Sequence, residues 1–165
     1  MEMKYEFDEQ LKKGSFGEKQ LDAFFADEYT IRAATAIEQR KGIDRWFTHK
    51  QSGERYAIEY KTDEKAATTH NAFIETVSVD VDDKAGWAET SQADYIFYFI
   101  PPLELIYVLR PSKIKEQLER WKQKFKERTI PNKGYCTKGI IVPLAEVESI
   151  ASDVIRVKEA PADNG

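Results

Sequence analysis

Apolar residues come in short blocks whose spacing alternates between helical and strand-like along the chain. Leu21, Phe24 and Phe25 lie at helical spacing. Ser15 and Glu18 fit the Ser-x-x-Glu capping box, so a helix is predicted to start at Ser15. Residues 29–35 read as a strand. Residues 43–49 and 55–61 read as two arms of a hairpin around Gln51-Ser52-Gly53-Glu54. Residues 72–79 predict a further strand, and residues 84–92 a short helix. Residues 95–100 are apolar on both faces, as a buried central strand requires, and Pro101-Pro102 end it. Residues 105–109 predict another strand. Pro111 suits the first turn of a helix, and Ile114, Leu118, Trp121 and Phe125 follow on one face. A strand over 139–143, a short helix from Ala145 and a strand over 154–157 complete the pattern. The predicted class is α/β or α+β: a single mixed β-sheet flanked by helices, in one domain over residues 1–157. Residues 158–165 (KEAPADNG) read as a disordered tail.

Composition narrows this further. Ile, Leu, Val and Phe supply 38 of 165 residues, enough for a true core and too many for a disordered chain. No apolar run reaches the ~20 residues of a membrane span, and the charged N-terminus lacks a signal-peptide pattern. Cys136 is the only cysteine, which excludes an intrachain disulfide and argues against a cysteine-based zinc site. A soluble, cytoplasmic protein is expected.

The net charge is −4, but it is unevenly spread. Residues 110–138 hold ten basic and three acidic side chains, a local charge of +7 on an otherwise acidic body. Screening beyond ~8 Å lets such a patch bind phosphates locally. Lys113, Lys122 and Lys124, on the predicted basic helix, are candidate DNA contacts. The plain alternative is a solvated lysine-rich face.

Four residues could carry chemistry: Glu18, Asp44, Glu59 and Lys61. Glu59 and Lys61 lie two apart on a strand and so project from one face, opposite Tyr56, Ile58 and Tyr60. A turn centred between Ser52 and Gly53 would set Asp44 opposite Lys61 and diagonal to Glu59, within ~5–8 Å. Two carboxylates and an ammonium suit Mg²⁺, which takes oxygen ligands and needs only one or two carboxylates. Each residue also has an ordinary reading. Glu18 completes a capping box, Asp44 is a strand-edge acid, and Glu59 with Lys61 is a salt pair. Glu75 and Asp80 would approach the site if the 72–79 strand lies beside it. Ser91 and Gln92 could contact DNA from the following helix. His49 reads as structural, and His70 stands too far from it for a local zinc spacing. No phosphate-binding Gly-rich loop is present.

Gly-Ile-Asp at 42–44 followed by Ile-Glu-Tyr-Lys at 58–61 resembles the PD-(D/E)xK nuclease superfamily of restriction enzymes, Holliday-junction resolvases and phage nucleases. The stretch GWAETSQADYI at 86–96 is similar to the helix-to-strand joint of its phage-type members. The resemblance covers about the first 100 residues, with Ile43 where the family's name has proline. It implies a restriction-endonuclease-like αβββαβ core, here with extra C-terminal strands and a basic helix. It also implies Asp44 and Glu59 as metal ligands, Lys61 as the catalytic lysine, and Glu18 supporting the metal or its waters. The expected activity is Mg²⁺-dependent cleavage of DNA, with Mn²⁺ able to substitute, by a homodimer or higher homo-oligomer. The alternatives are a catalytically inactive module of the same fold, binding nucleic acid or protein, and a purely structural domain.

Overall fold

The first helix, α1 (Glu2–Phe25), runs straight through Ser15. The predicted cap is therefore not a cap, because the good helix formers before it extend the helix. The real capping box lies further on, where Thr35 starts α2 (Ala36–Arg40). The Glu38 amide donates to Thr35 Oγ1 (3.2 Å), and the Thr35 amide donates to Glu38 Oε1 (2.9 Å). The computed structural model describes residues 2–157, with side chains from Gly14 onward; the predicted 158–165 tail lies outside the described residues.

Strands β1 (Tyr29–Ala33), β2 (Arg45–His49) and β3 (Arg55–Thr62) form an antiparallel meander. A short helix α3 (Ala66–Thr69) leads to β4 (Asn71–Val79). The segment predicted as a helix over 84–92 divides into β5 (Lys84–Ala85) and a single turn, α4 (Trp87–Thr90). Then come β6 (Tyr95–Ile100), β7 (Leu105–Leu109), α5 (Pro111–Lys124), β8 (Glu127–Asn132), β9 (Tyr135–Pro143), α6 (Leu144–Ile150) and β10 (Asp153–Arg156).

The main sheet has the order β1-β2-β3-β6-β7-β10, and only its β3–β6 pair is parallel. The expected mixed sheet flanked by helices is present. Beside it stands a second, four-stranded sheet in the order β5-β4-β9-β8, which corrects the expectation of a single sheet. Strand β8 escaped prediction because it contains Pro131 and is mostly exposed, so it lacks the alternation that marks a half-buried strand.

Strand β6 is buried on both sides, as its sequence requires. Phe97 and Phe99 join Phe47, Ile58 and Tyr60 under Leu21 and Phe25 of α1. Ile96, Tyr98 and Ile100 face the second sheet, α6 and the Ile114, Leu118 and Trp121 stripe of α5. Among the described residues no helix is long and apolar enough to cross a membrane.

Candidate active site

The site lies on the face of β3 that looks toward the second sheet. The β2–β3 register pairs Arg45 with Ile58 and Phe47 with Tyr56. Continuing it sets Asp44 directly across from Glu59, two residues from the predicted pairing with Lys61. A shift of two keeps every side chain on its face, so the same carboxylates still converge. Asp44 is held by backbone on both sides. Its amide donates to the Ile58 carbonyl (2.9 Å) and its carbonyl accepts from the Ala34 amide (2.9 Å). Its Oδ2 accepts the Tyr60 amide (2.7 Å).

Glu59 is buried, only 4 % exposed. Lys61 Nζ lies 3.4 Å from its Oε1. Its Oε2 is buried with no hydrogen-bond partner among the described residues. Burial raises the Glu59 carboxyl above its ordinary value and Asp44 adds to this, while Lys61 opposes it. A buried carboxylate oxygen without a partner costs about 1–3 kcal/mol or more, so it marks a position that a cation would relieve.

Gly42 closes the pocket over this oxygen. Its φ is +82°, and a Cβ there would lie 3.1 Å from Glu59 Oε2 and 2.9 Å from Ser91 Cα. Gly42→Ala is therefore expected to cost about 1–3 kcal/mol, from backbone strain and from displacement of Glu59. The urea midpoint should fall. An unchanged midpoint would show that the pocket is looser than drawn.

Glu18 enters from α1 but does not join the other two carboxylates in one cage. Its carboxylate lies 3.5 Å from Arg45 Nη2, and burial, Asp44 and Asp22 raise its pKa against the pull of Arg45. Among the described residues no three acidic, imidazole or thiol side chains are placed to hold a metal by themselves. Glu18 thus pairs with Arg45, apart from the Asp44 and Glu59 carboxylates that face each other where β2 meets β3. Arg45 also donates to Asp22 Oδ1 (3.1 Å) and to the Asp44 carbonyl (2.9 Å). Tyr60 Oη donates to Asp22 Oδ1 (2.9 Å). This network clamps α1 to the start of β2 and fixes the backbone of Asp44. Arg45 and Asp22 carry no motif of their own in the sequence, although Glu18 and Asp22 stand four apart on one helix face.

The remaining predicted residues separate clearly. Ser91 is buried, with its hydroxyl donating to the Gly42 carbonyl (3.4 Å), so it belongs to the pocket wall. Gln92 is exposed. Lys113, Lys122 and Lys124 are exposed on α5 and paired with Glu116, Glu89 and Glu146. Asp80 accepts the Cys136 amide (2.8 Å), tying the turn after β4 to β9. His49 Nδ1 accepts the Gln51 and Ser52 amides (3.2 and 3.1 Å), the structural role expected of it. Glu75, by contrast, is partly buried on β4 and sits within electrostatic reach of Lys61.

No protein-family model matches the chain, nor does any curated protein. Among solved structures it is similar to a bacterial homing endonuclease, I-Ssp6803I, at 13 % identity and a TM-score of 0.41, covering 92 % of this chain and 79 % of that one. A likeness of that degree assigns no chemistry to this chain.

Proposed function

We propose that this chain is a Mg²⁺-dependent DNA endonuclease of the PD-(D/E)xK type. The observation that carries the reading is the buried, unpartnered Oε2 of Glu59, aligned with Asp44 across one strand pair and with Lys61 on the same strand face. Asp44 and Glu59 would hold the cation, consistent with the one or two carboxylates Mg²⁺ takes from a protein; Mn²⁺ offers the same oxygen preference. Bound there, the ion would stabilise charge at the phosphorus and acidify a water. Asp44 is oriented for this by its Tyr60, Ile58 and Ala34 hydrogen bonds. Lys61, half-exposed at the pocket mouth, offers an ammonium that donates to a phosphate oxygen or to the attacking water. Cutting both strands of a duplex needs two such sites, which a homo-oligomer supplies.

Lys61→Ala is expected to lower plasmid cleavage at least a hundredfold while leaving Mg²⁺ affinity, measured by titration calorimetry, within about threefold of wild type, because it removes a donor and no ligand. Cleavage at the wild-type rate would remove Lys61 from the mechanism. One observation favours a non-cutting module on the same fold: Arg45 occupies Glu18, leaving two carboxylates instead of three. DNA binding without any Mg²⁺ binding would select that reading.

A further inference from the structure

Glu75 is a buried-side carboxylate that neither the cation-holding pair nor the α1 clamp uses. Three observations place it. Its strand, β4, is fixed against the main sheet by Tyr98, whose hydroxyl accepts the Phe73 amide (3.1 Å) and donates to Asp63 just past β3. Gly86 closes on it so tightly that a Cβ there would lie 2.7 Å from Glu75 Cγ and 2.4 Å from its carbonyl oxygen. That close approach brings the following residue, Trp87, over the site, with the Lys61 ammonium 5.7 Å from the centre of its ring. The main-chain amide of Trp87 also stabilises the ionised Glu75 carboxylate.

Lys61 therefore stands in a three-sided box. Glu59 is on one side at 3.4 Å, the face of Trp87 on another, and the third side is the strand β4 at Glu75, against whose Cγ Gly86, the residue before Trp87, packs. We propose that Glu75 is a positioning residue for Lys61: with Trp87 it forms a second counter-ion site that keeps the ammonium at the pocket mouth when Glu59 is engaged by a cation. This deepens the nuclease reading and rests on it for its purpose. The physical need is plain. Glu59 cannot serve Lys61 and a cation with the same charge, and an ammonium that loses its carboxylate partner leaves for solvent unless another holds it. Trp87 contributes the ring face that favours an ammonium over a neutral group.

The test is a mutant cycle between Glu75→Gln and Lys61→Met, joined to Glu75→Asp. Single-turnover cleavage at saturating Mg²⁺ should fall at least tenfold in Glu75→Gln and recover in part in Glu75→Asp. DNA affinity measured in EDTA should stay within twofold of wild type in both. In metal-free protein, the Tm change caused by Glu75→Gln should differ between the Lys61 and Lys61→Met backgrounds by about 2 °C or more, the glutamine being the more favourable where the ammonium is gone. Wild-type cleavage by Glu75→Gln overturns the proposal. So does a Tm effect that is equal in both backgrounds, which would make Glu75 a merely structural acid. If the wild type cuts no DNA, the nuclease reading falls by itself; the metal-free Tm cycle still decides whether Glu75 holds Lys61.

Discussion

Asp44→Asn is expected to abolish Mg²⁺-dependent DNA cleavage while leaving the protein folded. The side chain does two jobs that this substitution separates. Its Oδ2 accepts the Tyr60 amide at 2.7 Å, and Tyr60 is buried, so some acceptor is needed there. Asparagine keeps a carbonyl oxygen for that bond and loses only the negative charge. Alanine would lose both and leave a buried N–H unpaired, at a cost of about 1–3 kcal/mol. In Asp44→Ala the relief of repulsion with Glu59 is therefore opposed by a broken backbone contact. In Asp44→Asn the loss of one anionic ligand should reduce cleavage by about a thousandfold or more, the several kcal/mol that a cation contributes to charge stabilisation. Circular dichroism should match wild type. Retained cleavage in a folded Asp44→Asn would exclude Asp44 as a ligand.

Glu59→Gln is expected to lose cleavage and gain stability together. Burial raises the Glu59 carboxyl, with Asp44 adding to the effect and Lys61 opposing it. A carboxyl raised in the folded state binds its proton more tightly there than in the unfolded chain. Its stabilising contribution is present below the unfolded value, ~4.3, and is lost as pH rises through the higher folded value. At pH 7 the ionised group is thus a net cost, which glutamine removes. Glutamine also brings an amide that can donate toward the Ser91 hydroxyl or the Gly42 carbonyl. Tm at pH 7 should rise by about 2–4 °C, equivalent to roughly 1 kcal/mol at this chain length. The gain should shrink toward pH 4, where wild-type Glu59 is itself protonated. Burial raises Glu18 and Glu75 in the same direction, so wild-type stability should also decline from mildly acidic toward neutral pH on their account. A Glu59→Gln protein less stable than wild type at pH 7 would show that the Lys61 pair outweighs the burial cost.

Much of the main sheet was legible because its signals are local. The six-residue apolar run of β6 announces burial on both faces, and the spacing of Ile114, Leu118 and Trp121 announces the buried stripe of α5. The shared face of Glu59 and Lys61 follows from strand geometry alone. The hairpin register was less legible. Gly53 adopts φ +74° at the end of the loop, and the His49 amide donates to the Glu54 carbonyl, so the turn centre falls one residue earlier than the Ser52-Gly53 pair suggests. The two-residue shift that results leaves the facing of Asp44 intact, so Asp44 and Glu59 still share one face of the sheet. The Ser15 capping box failed for a different reason: a Ser-x-x-Glu pattern marks a helix start only if the preceding residues leave the helix. The placement of Glu75 is not legible from local pattern, because it depends on how β4 packs across the main sheet through Tyr98 and Phe73. Arg45 was missed because its role comes from contacts with Asp22 and Glu18, more than twenty residues earlier in the chain.

The most direct test is nicking of supercoiled plasmid by purified wild type and Asp44→Asn, each with Mg²⁺ and with EDTA. Relaxed or linear product is expected for wild type with Mg²⁺ alone, and none for Asp44→Asn under either condition. Cleavage that persists in EDTA, or that Asp44→Asn retains at the wild-type rate, would contradict metal-dependent cleavage through Asp44.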